Sequence, residues 1–144
     1  MATFTRFNQF LEDLCKKVHN LASDTLKVYL TNAAPDVAAD AVKADLAEIS
    51  AGNGYSAGGT AMTTVSCEQT GGVVAVKMDD KVIVTASGGQ VGPFRYAVLY
   101  NDSPTSPADP LIGYWDRGAS ITLEDGDSFS LNLDETNGIL QIGA

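Results

Sequence analysis

The feature that most constrains this chain is the strict alternation of apolar and polar residues near its C-terminal end. From Ile121 to Ile142 the sequence reads ITLEDGDSFSLNLDETNGILQI. Successive side chains of an extended strand point to opposite faces. Ile121, Leu123, Phe129, Leu131 and Leu133 therefore share one side, and Thr122, Glu124, Ser128, Ser130 and Asn132 the other. Only a sheet with one buried and one wet face suits this pattern. Asp125-Gly126 and Asn137-Gly138 interrupt it. Such pairs tolerate the positive φ of a tight turn, so the spacing predicts hairpins at both points.

With 144 residues the chain has the size of one domain and enough apolar side chains for a single core. Charged residues make up 19% and apolar ones 44%, which excludes the composition of a disordered chain. A net charge of −9 repels a phosphate backbone, so nucleic acid is not an expected partner and a basic surface is. The sequence has neither a run of ~20 apolar residues nor the basic start and apolar core of a signal peptide. The expectation is a chain made in the cytoplasm that does not enter a membrane. Cys15 and Cys67 are far apart in sequence and outside any Cys-X-X-Cys or Cys/His cluster. They read as reduced, buried thiols, with no metal or cofactor implied.

Between Phe4 and Leu21, the residues Phe7, Phe10, Leu11, Leu14, Val18 and Leu21 recur at three- and four-residue steps among charged neighbours. This spacing predicts an N-terminal amphipathic helix within residues 1–24, serving either as a cover for the core or as an anchor onto another subunit. Residues 25–144 are expected to form one β-sandwich domain. TLKVYLT at 25–31 alternates as a strand and ends before Pro35. PDVAADAVKADLAEI, rich in Ala, carries Ala38, Ala41, Val42, Leu46 and Ile49 on one stripe and predicts a further short helix near 36–50.

GNGYSAGGT at 52–60 is a glycine-rich connection. It lacks the Lys-Ser/Thr ending of a phosphate loop, and a strand pattern, not a helix, follows it. Val-rich segments at 72–78 and 81–86, separated by Asp79-Asp80, read as a hairpin. FRYAVLYN at 94–101 is apolar on both alternating sets: Phe94, Tyr96, Val98 and Tyr100 on one, Ala97 and Leu99 on the other. That strand is predicted to be central and covered on both faces. SPTSPADP at 103–110 is an exposed loop, and a strand follows at Leu111–Asp116. About eight or nine short strands at this spacing predict a mainly β fold, a two-layer β-sandwich or jelly roll.

Little in the sequence carries chemistry. His19 is the only histidine and falls on the predicted N-terminal helix, where a structural or capping role is expected. Neither a Gly-X-Ser-X-Gly elbow nor a His-Glu-X-X-His pair is present. Asp79, Asp80, Asp102, Asp109, Asp116, Glu124, Asp125 and Asp127 lie in turns or at strand ends, where a carboxylate bonds local backbone, and not as a glycosidase pair. Asp125 and Asp127 form an Asp-X-Asp turn that offers oxygens to calcium, but the rest of a twelve-residue loop is missing and a plain hairpin is expected. Tyr96, Tyr100, Tyr114 and Trp115 are packing residues or sugar-stacking aromatics, and Trp115, beside Asp116 and Arg117, is the one to test for exposure.

The blocks FNQFLEDL, VHNLASDTLKVYLTNAAP, AEISAGNGYSAGG, GPFRYAVLYND and PLIGYWDRG resemble a family of small virion structural proteins of tailed bacteriophages. The resemblance runs from about Phe4 to the C-terminal end and implies a particle component located in the virion. It supplies no catalytic motif. An acidic, unreactive β-domain suits a capsid decoration or cement protein, not an enzyme. Its expected partner is the major capsid protein, and its expected form a homo-oligomer, with a trimer favoured. Phe4, Phe7, Phe10 and Leu14 would serve as the anchor and Trp115 as a further contact. The alternative is a tail or fibre component, with Trp115 and the 103–110 loop touching a receptor or glycan.

Overall fold

The structure is a computed structural model and describes residues 3–143. It is mainly β and β-sandwich-like, as the alternation requires. Among the described residues there are ten strands and one α-helix. The elements are β1 (Phe4–Arg6), α1 (Asn8–Cys15), β2 (Leu26–Thr31), β3 (Thr60–Ala61), β4 (Thr64–Thr70), β5 (Val73–Met78), β6 (Lys81–Thr85), β7 (Val91–Asn101), β8 (Leu111–Leu123), β9 (Ser128–Leu131) and β10 (Leu140–Gly143). One antiparallel sheet runs β1-β8-β7-β2-β3, a second β10-β5-β4, and a third pairs β6 with β9.

β7 is central and covered on both faces, as its sequence demands. Ala97 and Leu99 join Leu26, Val28, Leu30, Ile112 and Trp115 in the main core. Opposite them stand Val76 and Met78 of β5, Ile83 and Val84 of β6, and Leu131 and Leu140. Tyr96, Val98 and Tyr100 face the other way, into a smaller cluster with Phe7, Tyr29, Leu46 and Leu111. Phe94 departs from the expected phase. The β7–β8 register shifts between Phe94 and Tyr96, which turns the Phe94 ring into the main core against Phe129.

The predicted N-terminal helix is much shorter than its apolar stripe. Phe4–Arg6 is a strand paired with Gly113–Trp115, and the helix spans only Asn8–Cys15. Gly113 makes room for this edge, since a Cβ there would lie 2.6 Å from the Thr5 carbonyl oxygen and collide with the Phe4 ring. The helix closes on Lys17 at φ 66°, with Val18 N–H on the Asp13 carbonyl at 2.9 Å and Lys17 N–H on that of Leu14 at 3.3 Å. This is a Schellman ending built on a non-glycine residue.

The predicted helix near 36–50 does not form, apart from a three-residue 3-10 turn at Lys43–Asp45. Its carboxylates bond neighbouring backbone instead. Asp36 Oδ1 accepts from the N–H groups of Ala38 and Ala39, and Asp45 Oδ2 from those of Ala41 and Val42. Such local bonds compete directly with the helical ladder.

The Val-rich pair around Asp79-Asp80 is not a hairpin either, because β5 pairs with β4 and β10 while β6 pairs with β9. Likewise β8 and β9 do not pair across Asp125-Gly126, nor β9 and β10 across Asn137-Gly138. At both turns the chain crosses from one sheet to another.

Within the irregular 32–59 segment, Val37 and Leu46 cover the second face of the large sheet, while Ile49 and Tyr55 pack into the main core. Ile49 N–H bonds the Leu30 carbonyl at 3.0 Å, and Leu111 N–H the Ala41 carbonyl at 3.0 Å. Glu48 ties the segment down: it accepts from Lys43 Nζ at 2.8 Å, Tyr55 O–H at 2.6 Å and Gly58 N–H at 2.8 Å. The Tyr55 hydroxyl in turn accepts from Leu30 N–H at 3.0 Å. The Lys43 ammonium sits 4.9 Å from the centre of the Tyr29 ring. Burial pushes the Glu48 carboxyl up, but these three donors outweigh it and hold it below its ordinary 4.5.

Two outcomes check this account. Glu48→Ala strands Lys43 and two further donors and should cost about 2–4 kcal/mol in urea unfolding. Because the folded carboxyl is the stronger acid, the Glu48 contribution is complete above pH 4.5 and is lost as the pH falls through the lower folded value. Phe10→Ala should cost about 3–5 kcal/mol, since Phe10 is 0% exposed. A loss under 1 kcal/mol in the same assay would return α1 to the role of a detachable anchor.

Candidate functional site

A cleft of about 490 Å³ opens where the two layers part at one end of the sandwich. Sequence periodicity explains its walls. Alternation along β5 turns Val74 inward with Val76, while Val73, Ala75 and Lys77 line an outer groove with Ser66, Glu68 and Gln141. Pairing sets Val74 beside Ile142 of β10, and Cys67 of β4 beside Val76. Facing this wall are Leu14 at the end of α1 and the turn that follows it, with Val18, His19 and Leu21. Leu14, Val18, Cys67, Val74 and Ile142 are each only half-buried, so the cleft is an apolar groove open to solvent.

One polar side chain stands among them. His19 is 6% exposed, and its ring packs on Phe10 with centroids 5.1 Å apart. Asn101 Nδ2 lies 3.1 Å from His19 Nδ1 and 2.7 Å from Asp24 Oδ2, and Asn101 Oδ1 accepts from Ser103 N–H at 3.0 Å. The amide orientation follows from its neighbours, because a carboxylate accepts only and a backbone N–H donates only. Asn101 therefore donates to both Asp24 and His19. That fixes His19 Nδ1 as an acceptor and puts the proton of the neutral ring on Nε2. His19 Nε2 has no hydrogen-bond partner among the described residues, and neither has Asp13 Oδ2. Asp13 Oδ1 accepts from Gln9 Nε2 at 3.1 Å.

Burial lowers the basicity of His19, and the nearby Asp13 and Asp24 carboxylates oppose this without cancelling it. The ring therefore stays neutral below its ordinary 6.5. The one unmatched donor of the ring, Nε2, is itself buried.

The residues expected to bind a partner are placed differently. Phe7 and Phe10 are buried, Phe4 is half-buried against Trp115 with ring centroids 4.8 Å apart, and Trp115 itself is only 4% exposed. Trp115 is thus core, not a sugar-stacking surface, and the three phenylalanines pack within their own domain. Leu14 alone of the five lines the cleft. Cys15 is exposed and Cys67 half-buried, so the expected pair of buried thiols is corrected; both are free.

Asp125 Oδ1 accepts from Gly88 N–H at 3.0 Å and Asp127 Oδ2 from Glu124 N–H at 3.1 Å, which accounts for both as turn residues. Sequence reading missed the cleft. The alternation of 73–78 showed which valines face inward, but nothing local shows that β5 lies opposite residues 14–21. Among the described residues, no helix is long and apolar enough to cross a membrane. No family model, curated protein or solved structure matches the chain.

As the chain's only histidine, His19 titrates visibly by NMR. Its midpoint should fall below 6.5. Since the unfolded ring protonates first, stability should begin to drop as the pH falls through 6.5, a slope that His19→Gln removes. A midpoint above 6.5 would mean that the carboxylates govern the ring.

Proposed function

We propose that this chain is a non-enzymatic structural component of a bacteriophage virion, a decoration protein that binds the outer capsid shell and stabilises it. The major capsid protein is its partner, and a homo-oligomer, with a trimer favoured, is its working form. The resemblance of five sequence blocks to small virion proteins supports the reading, as does the acidic surface. The observation that carries it is a pair of apolar side chains on open sheet edges. Val65 is 60% exposed on β4, which ends its sheet, and Val82 is 53% exposed on β6 of the two-stranded sheet. Val65 falls where the β4–β5 register shifts, so it stands proud of the ladder and blunts edge-to-edge pairing while offering a contact. A domain that binds only the assembled shell shifts the equilibrium toward it by mass action.

Gold-labelled antibody against this chain, applied to purified particles, should mark the head. Val65→Lys with Val82→Lys should leave stability within about 0.5 kcal/mol and abolish binding to the shell. Label confined to the tail tip, or full occupancy by the double variant, would overturn the proposal. The first of these results would favour the tail or fibre reading, in which the 103–110 loop, exposed over 105–108 but buried at Pro110, touches a receptor.

A further inference from the structure

We propose that the open edge of β4 binds an extended segment of a partner protein, added as an antiparallel strand on the backbone of Cys67 and Gln69 with a lysine or arginine opposite Glu68. The edge is available whether or not the chain serves in a particle.

β4 is an unusual strand to leave open. The strands that end the three sheets are β1, β3, β10, β6, β9 and β4, and at seven residues β4 is the longest of them. Natural edges are kept short or carry lysine or proline, because unpaired backbone groups otherwise recruit another strand. TVSCEQT contains neither residue. The bulge at Val65 guards only its first end, and from Ser66 to Thr70 the ladder with β5 is regular.

The turn at the other end fixes which groups are free. Gly71 and Gly72, at φ 61° and 88°, form a two-residue hairpin loop, so Thr70 and Val73 beside it exchange both ladder bonds. Alternation then makes Glu68 with Ala75 and Ser66 with Lys77 the next bonded pairs. Cys67 and Gln69 are left with N–H and carbonyl groups turned away from β5. The far side of β5 agrees, since the carbonyl of Val76, opposite Cys67, accepts from Ile139 N–H at 2.9 Å. Among the described residues, nothing bonds the backbone of Cys67 or Gln69. Two donors and two acceptors at strand spacing fit an extended peptide.

The side chains along the edge define that peptide. Glu68 is exposed on the outer face and stands opposite Ala75, while Lys77 stands opposite Ser66 and makes no ion pair with it. An added strand places one residue directly across from this carboxylate, and on a chain of net charge −9 a cation is favoured there. On the inner face the row Leu140, Val76, Cys67 stops at the edge, with Cys67 only half-buried. A residue opposite Cys67 extends that row beside the apolar groove that Cys67 lines, and should be apolar. The recognised order is therefore apolar, basic, apolar. A second copy does not suit the edge. Two β4 strands joined through Cys67 and Gln69 set their Glu68 carboxylates against each other at a non-bonded position, where side chains are closest.

The probe is a blocked pentapeptide of threonine, valine, lysine, valine and threonine, titrated into the ¹⁵N-labelled wild-type chain. At millimolar peptide the amide hydrogens of Cys67 and Gln69 should exchange with solvent about tenfold more slowly, while those of Glu68 and Thr70, already bonded to β5, keep their rates. N-methylation of both valines, whose N–H groups face β4, should abolish binding. N-methylation of the lysine, whose N–H faces away, should leave it intact. Glutamate in place of that lysine should weaken binding about threefold to tenfold, and Glu68→Lys, an exposed change, should reverse the preference. Unchanged exchange, slowing that does not alternate along β4, equal effects of the two methylated peptides, or indifference to the sign of the central residue would each overturn the proposal. Concentration-dependent protection of Cys67 and Gln69 without peptide would overturn it too, in favour of a second copy.

Discussion

The structure depends on one constraint, that β7 carries large apolar side chains on both of its faces. Leu99 and Tyr100 are neighbours in the chain, both nearly inaccessible, and they point into different clusters. A strand of this kind cannot lie at a surface, so something must cover each side. The smaller sheets cover one. The other is covered by irregular chain, a less usual solution, because irregular backbone brings polar groups that must be matched wherever they are buried. Glu48, Thr31 and Tyr29 supply partners there: the Thr31 hydroxyl donates to the Ala47 carbonyl at 2.5 Å and the Tyr29 hydroxyl to that of Leu46 at 3.3 Å.

The cleft follows from the same arrangement at the end of the molecule. The β10-β5-β4 sheet presents Val76 and Met78 to the main core and continues past it to Val74 and Ile142. The opposing wall is only a turn, held by the Schellman ending at Lys17 and by the Asp24–Asn101–His19 chain of hydrogen bonds. Two layers that part company leave apolar side chains half covered, and there the structure is least complete.

How much of this was legible follows physical lines. The phase of 121–133 and the two-faced character of 96–100 were legible because strand geometry is local and the burial is unambiguous. Pairing partners were not. Asp79-Asp80 looks like a hairpin turn, yet whether β5 turns back on itself is settled by β10, more than sixty residues away, which takes the edge opposite β4. The stripe from Phe4 to Leu21 has helical spacing, but Phe4 recurs because it packs on Trp115 from a strand, and the stop at Lys17 carries no glycine to announce it. In 36–50 the Ala content argued for helix, while three aspartates, Asp36, Asp40 and Asp45, argued against it through side chain to backbone bonds that a stripe count ignores. His19 was expected to be structural, and its bond with Asn101 is; its surroundings come from α1, the turn that follows it and β7, which no local sequence signal brings together.

The pairing order also governs how the protein is made. β1 finds its partner only in β8, β5 is flanked on its second side only by β10, and β6 has nothing to pair with until β9 exists. Translation at about 5–20 residues per second leaves Phe7 and Phe10 uncovered on the nascent chain for on the order of ten seconds before β8 emerges. Through that interval the growing polypeptide is an obvious client for ribosome-associated chaperones, and closure of the domain becomes a late, concerted event dominated by contacts between distant segments.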